Sequence, residues 1–295
     1  NEIPFSNVYF TSIIRDEIGR KMSKSLGNSP DALKLFDKYG VDAVRVSILM
    51  MAPQGLDIHF KEERLEQGRN FMNKLWNCSR FIMMNLDDTL ELNLSNIDIN
   101  SLDETDKWIL SKLNNIIKDV NDSLKNYKIN DAIKKIYNFV WGDYCDWYIE
   151  FSKSRIYGSS LSERESVLTI AVYVLQNILK LLHPFAPFIT EEIWSYFNNE
   201  EFLAKSEYPQ VKSEFSFTEE EDNIDLLQIV ITSIRNIKSN LGISPKKEIT
   251  IYCRGHENKT IVIENNQYHL SQLLNIVKVQ SGVNIKKPDQ SATSV

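Results

Sequence analysis

Between Glu62 and Leu182 apolar residues return at helical spacing through four successive segments, which narrows the possible folds more than any other feature of the chain. Leu65, Met72, Leu75, Trp76, Ser79 and Met83 fall on one face of a segment running to about Leu86. After an Asn- and Asp-rich connector, Ile109, Leu113, Ile116, Val120 and Leu124 repeat the pattern in a helix starting near Ser101 or Thr105. A third helix, Asn130 to about Ser154, buries Ile133, Ile136 and Val140, with Trp147 and Phe151 beyond them. The fourth, Ser162 to Leu182, is apolar almost all round and belongs at the centre of a bundle. His183-Pro184 ends it, and Thr190 is expected to N-cap a short helix containing Ile193 and Trp194. Helices of this length joined by short loops make an antiparallel bundle.

The flanks read differently. Val8 to Ile14 has the composition of a buried strand, and Arg15 to Ser29 is a polar loop punctuated by Gly19 and Gly27. A short helix after Pro30 should carry Leu33, Phe36 and Tyr39 on one face and stop at Gly40. A helix over Asp42 to Met50 then ends before an Ala52-Pro53-Gln54-Gly55 turn. Beyond Tyr208-Pro209 a polar linker leads to a helix from about Glu219 to Asn240. Strands at Glu248 to Cys253, Thr260 to Glu264 and Ile276 to Gln280, with a helix over Tyr268 to Leu274, would form a small α/β unit. The polar tail from Lys286 to Val295 is expected to be loose. Asn1 opens without methionine straight into strand-like sequence, so the chain reads as starting within a domain, and no signal peptide is recognisable.

Cys78, Cys145 and Cys253 lie far apart with no Cys-x-x-Cys pair, which excludes a recognisable zinc site and argues for a reducing cytoplasm. No apolar run is expected to reach membrane-spanning length; Ile178 to Ile189 is broken by Lys180, His183, Pro184 and Pro187. The net charge of −6 disfavours a nucleic-acid partner only until its distribution is considered. Residues 1–80 hold 12 basic against 10 acidic side chains, so the acidity lies further along and local basic patches remain open.

The most specific motif is Lys21-Met22-Ser23-Lys24-Ser25, followed by Leu26-Gly27-Asn28 and preceded by Arg20. Two ammonium groups among small hydroxyl residues can close over a polyphosphate and offset charge building on a leaving pyrophosphate. The pentapeptide resembles the KMSKS loop of class I aminoacyl-tRNA synthetases. The resemblance implies that Lys21, Met22, Ser23, Lys24 and Ser25 bind ATP, accompanied by Mg²⁺, and that Lys24 and Lys21 act in aminoacyl-adenylate formation. The His-x-Gly-His element of that family is missing here: His59, His183, His256 and His269 are set in other contexts, so the chain by itself is not expected to activate an amino acid.

Further stretches resemble the valine branch of the family: residues 69–77, 106–113, 145–150, and Arg235-Asn236-Ile237 followed by Ile243-Ser244-Pro245. Segments 37–45 and 183–194 are similar to the valine, isoleucine and leucine branches alike. The isoleucine or leucine branch, or a non-catalytic RNA-binding module of the same descent, stays open as an alternative. The resemblance implies a mainly α chain in three parts: residues 1–62 closing a Rossmann-type catalytic domain, 63–210 a helical-bundle anticodon-binding domain, and 211–295 a small α/β extension. It implies tRNA(Val), ATP and valine as partners, a monomer with no membrane contact, and no zinc. The anticodon would be read by Lys74, Arg80 and Phe81, with Arg69 in support. Phe81 fits base stacking and a core position equally. Trp76, Trp108, Trp141, Trp147 and Trp194 are expected to be core anchors. Asp143, Asp146 and Glu150 form a carboxylate group better suited to ion pairs than to a metal.

Overall fold

The computed structural model describes residues 3–52, 55–87, 90, 92–197, 201–289 and 291–294, and the chain in it is mainly α-helical. The Pro53-Gln54 turn expected from the sequence lies outside the described residues.

The first part is built round a short parallel pairing of β1 (Ile14–Arg15) with β2 (Ile58–His59). The expected buried strand over Val8 to Ile14 is not formed: Val8, Phe10 and Ile13 are exposed, and of this run only Ile14 belongs to β1, beside the Ile13 carbonyl that accepts the Ile58 N–H. A segment apolar on both faces needs full strands on both sides, and among the described residues β1 has β2 on one side and a single antiparallel bridge from Arg15 to Lys21 besides. Helix α1 (Ala32–Tyr39) is capped by the Asp31 carboxylate, which accepts from the Leu33 N–H, and ends at Gly40 with φ of 90°. Its buried residues are Leu35 and Tyr39; Leu33, expected inside, is 71% exposed.

Helix α2 (Val41–Met51) joins this part to the bundle. Its closest neighbour is α3 (Leu65–Asn85), and the crossing is set by Gly68, where an added Cβ would lie 2.2 Å from the Ala43 carbonyl oxygen. Two residues of α2 grip the corner between α7 (Leu161–Leu182) and α8 (Pro187–Ser195). Asp42, buried, accepts the Ile189 N–H at 2.7 Å, while Arg45 donates to the carbonyls of Phe185 at 3.2 Å and Pro184 at 3.3 Å. The acid thus meets the positive end of one helix and the base follows the negative end of the other. Pro187 occupies the first turn of α8 and Ala186 is its cap residue. Thr190 is therefore inside the helix rather than its N-cap, its hydroxyl donating to the Ala186 carbonyl at 2.7 Å.

The bundle comprises α3, α4 (Glu104–Lys125), α5 (Ile129–Asn138), α6 (Ile149–Ile156), α7 and α8. Between α5 and α6 the helix continues as a π-helical stretch, Phe139–Tyr148, which the helical periodicity of the sequence does not distinguish from α. Helix α7 lies at the centre as expected, with twelve buried residues. By length and mean hydropathy it reaches the dimensions of a membrane span, contrary to the expectation above, but 67% of its apolar window is buried inside the protein, as in a core helix. Trp108 is fully buried and Trp194 nearly so; Trp76, Trp141 and Trp147 pack half-buried against the same core.

The linker after Tyr208 is pinned along α4: Asn114 exchanges hydrogen bonds with Lys212 in both directions, and Asn121 donates to the Pro209 carbonyl. Helix α9 (Thr218–Asn240) packs on α4 and leads to a unit of two parallel strands, β3 (Ile249–Arg254) and β4 (Ile276–Gly282), bridged by α10 (Glu257–Asn265) and α11 (Gln267–Leu274). The strand expected over Thr260 to Glu264 is part of α10. Its β-branched run suits a strand locally, but tertiary contact prevails: Thr260 and Ile263 face inward while Ile261 is exposed, a helical rather than alternating pattern.

Candidate phosphate loop and nucleic-acid interface

The loop over residues 16–28 is organised from two short polar side chains. Asp16, at the end of β1 and mostly buried, accepts the Arg20 backbone N–H and the Arg20 Nε, each at 2.8 Å. Gly19, with φ of 85°, closes this first turn by donating its N–H to the Asp16 carbonyl. Asn28 closes the other end: its Nδ2 donates to Asp16 Oδ2 at 2.9 Å and to the Lys21 carbonyl at 3.3 Å, while its Oδ1 accepts the Ser23 N–H at 2.9 Å. The Asn28 amide, aided by Arg20, holds the Asp16 carboxyl down at about 2, so it stays ionised against partial burial.

Within this bracket each predicted residue takes a defined place. Lys21 joins Arg15 in an antiparallel bridge through its backbone, leaving its side chain exposed. Met22 turns back onto the core and its N–H donates to the Ile14 carbonyl. Ser23 and Ser25 face each other at 3.2 Å, and the Ser23 hydroxyl also accepts the Leu26 N–H. Lys24 projects from the tip. Among the described residues neither Lys21 nor Lys24 has an ion-pair partner, whereas Arg20 is committed to Asp16. A shallow cleft of about 290 Å³ opens beside the loop between Met22, Asn28, Pro30, Phe60 and Glu62. The sequence reading missed the two organisers, Asp16 and Asn28; the signal was a pair of short polar side chains flanking the lysines.

On α3 the candidate RNA residues divide by their partners. Arg69 is engaged by Glu66 at 2.6 Å and leans over the Tyr39 ring. Lys74 is ion-paired to Asp146 of the π-helical stretch and lies 5.3 Å from the Trp141 ring centre. Arg80 is exposed and, among the described residues, has no ion-pair partner. Phe81 is half-buried, packing against the core and meeting the Tyr157 ring edge-to-face. Asn73, Asn77 and Arg80 form an exposed polar stripe, while Phe71 and Cys78 on the neighbouring face are buried. The three carboxylates noted in the sequence do not converge on one point. Asp146 pairs with Lys74 and Glu150 with Lys153, while Asp143 lies within the field of Lys112, Asp225 and Glu221.

Comparisons with known proteins agree with this layout. Residues 106–253 match the family described as the anticodon-binding domain of tRNA ligase, and residues 1–61 match tRNA synthetases class I (I, L, M and V). Along its full length the chain is 41% identical to the valine–tRNA ligase of Fusobacterium nucleatum, 39% to that of Thermotoga maritima and 37% to that of Bacillus subtilis. It spans about a third of the length of these curated relatives. Among solved structures, a LeuRS of Agrobacterium radiobacter in a ternary complex with tRNA and LeuAMS superposes with a TM-score of 0.56 at 22% identity, covering 71% of this chain and 24% of that one. The methionyl-tRNA synthetase of Mycobacterium tuberculosis in complex with methionyl-adenylate gives 0.51 at 21%, covering 63% and 37% respectively. These two likenesses concern the fold. Since the anticodon-binding match alone spans half of the sequence and the class I match covers the loop ahead of it, the chain belongs to the class I tRNA synthetase family and carries that family's anticodon-binding domain.

Proposed function

We propose that the chain is the part of a cytoplasmic valine–tRNA ligase that clamps ATP and holds the anticodon of tRNA(Val). The observation that carries this reading is the pair of ammonium groups, Lys21 and Lys24, without ion-pair partners among the described residues, on a loop braced by Asp16 and Asn28, in a chain matching valine–tRNA ligases from end to end. Residues 1–62 complete the catalytic domain, 63–210 form the anticodon-binding bundle and 211–295 the extension.

In this reading ATP arrives with Mg²⁺, and the exposed ammonium groups of Lys21 and Lys24 meet its phosphates. As valine attacks the α-phosphate, negative charge gathers on the departing pyrophosphate, and Lys24 at the loop tip stabilises it. Ser23 and Ser25 keep the tip tight, while Met22 anchors it to the core. Residues 1–62 lack a His-x-Gly-His element, so adenylate formation needs the rest of the ligase. On the bundle, Arg80 meets a phosphate and Phe81 a base, with Lys74 and Arg69 shaping the surface through their partners. The protein works as a monomer.

Titration of the chain with valine, isoleucine and leucine tRNA transcripts at fixed moderate salt tests the assignment, since charge-driven affinity depends on salt. Preference for the valine transcript, lost on changing its anticodon, is expected; equal affinity for all three would reject the valine assignment.

A further inference from the structure

Large apolar side chains gather in the open where α3 ends, α6 ends and α7 begins. Met84 is 77% exposed, Tyr157 68% and Leu161 59%. Contacts join the three elements: the Tyr157 and Phe81 rings meet edge-to-face at 6.3 Å between centres, and Arg164 donates to the Asn85 carbonyl at 2.8 Å. Burying such groups would be favourable, so their exposure calls for an occupant.

The surrounding charge selects its chemistry. Arg80 and Met84 are four residues apart on α3, and Phe81 and Met84 three, so the cation and the Phe81 ring flank Met84 from adjoining faces of the helix end. Lys153 lies 6.0 Å from the Phe81 ring centre. Glu150 is engaged by Lys153 at 2.5 Å and Asp87 by Arg164 at 3.1 Å, while Glu163, in the first turn of α7, is exposed without an ion pair among the described residues. Arg80 has no such partner among the described residues. Aromatic faces beside a spare guanidinium suit an unpaired base and its phosphate. Tyr157 and Leu161 also fall within the span matched by the anticodon-binding family, whose ligand presents unpaired bases.

We propose that Tyr157, at the end of α6 and met edge-to-face by Phe81, offers its ring as the platform on which one unpaired base of the tRNA anticodon loop stacks, while Arg80 holds the adjoining phosphate. The proposal rests on the anticodon-binding reading given above and adds a contact residue outside α3. Stacking needs the ring rather than the hydroxyl, which makes no hydrogen bond among the described residues. Tyr157→Phe should therefore bind like the parent chain.

The test uses the full chain and an anticodon stem-loop RNA carrying 2-aminopurine at each unpaired loop position in turn, because stacking on an aromatic ring quenches that base. One position should be quenched on binding. Tyr157→Ala should restore its fluorescence and weaken binding about 5- to 100-fold, leaving the salt dependence unchanged. Tyr157→Leu should behave like the alanine variant despite its apolar bulk, which separates stacking from simple packing. Arg80→Ala should instead reduce the salt slope by about one. If Arg80 and Phe81 substitutions weaken binding while Tyr157→Ala stays within twofold of the parent, the Tyr157 inference is overturned and the anticodon reading stands. If the parent chain binds no stem-loop, both fall.

Discussion

Arg155 closes both arms of its guanidinium on Asp106, Nη1 donating to Oδ2 at 2.5 Å and Nη2 to Oδ1 at 2.8 Å, at a carboxylate with no exposed surface. Tyr148 donates to the same Oδ1 at 2.8 Å, and the Thr105 hydroxyl accepts from Nη2 at 2.9 Å. The cluster ties the start of α4 to the end of the π-helical stretch, through Tyr148, and to the last turn of α6, through Arg155. Burial opposes the charge on Arg155, but Asp106 more than offsets it and raises its affinity for the proton.

Arg155→Ala should lower stability by about 3–5 kcal/mol, because it leaves a fully buried carboxylate without its counter-charge. Arg155→Met combined with Asp106→Leu should recover much of that loss, as neither residue then brings a charge into the core. Urea unfolding followed by circular dichroism measures both; equal destabilisation by the single and double variants would contradict the account.

Gly68→Ala should destabilise the chain by at least about 2 kcal/mol. The new methyl group would lie 2.2 Å from the Ala43 carbonyl oxygen and 2.3 Å from Ser47 Oγ, so α2 and α3 would have to separate. A thermal midpoint unchanged within a degree would show that the crossing is looser than these distances indicate.

Burial pushes the Asp143 carboxyl up to about 6, with Asp225 and Glu221 adding to the rise and Lys112 opposing it. The folded chain thus keeps a proton that the unfolded chain releases near 3.8. Stability from this group is therefore full at acid pH, declines as pH climbs through that interval to about 6, and is level above it. Asp143→Asn should flatten the slope and stabilise the chain at neutral pH by about 1–2 kcal/mol. Denaturation midpoints at intervals from pH 4 to 7 would reveal the difference.

Within a valine–tRNA ligase containing this chain, Lys24→Ala should slow adenylate formation by roughly 10²- to 10³-fold, the scale of losing one charge-stabilising donor. Anticodon stem-loop binding should stay within twofold, since Lys24 lies on the loop and not on the bundle. Pyrophosphate exchange and filter binding measure the two quantities separately.

What the sequence revealed about this fold followed from local period and from one motif. The helices over the bundle show in spacing alone, because a face of Leu, Ile and Trp three or four residues apart needs no knowledge of its neighbour. Lys21 and Lys24 could be found because their residue types already state the chemistry. Asp16 and Asn28 leave only a faint signal, two short polar side chains flanking the lysines, since their value lies in meeting each other across the loop. The same holds for Thr260 to Ile263: the β-branched residues suggest a strand, and packing against β4 and α9 makes them a helix. Lys74 and Arg80 look alike in sequence, yet Asp146 engages one and the other is left open, a distinction that depends on residues 72 positions away.

Asp42 and Arg45 lie within one turn of α2, and each holds a different end of the corner between α7 and α8. That single turn therefore fixes the pitch of the central helix relative to the strand-and-loop region that precedes it. A change in the direction of α2 cannot be absorbed by fraying at the corner, because both helix ends would lose their partners together. The joint acts as a keyed axle rather than a tether, holding α2, α7 and α8 to one mutual setting.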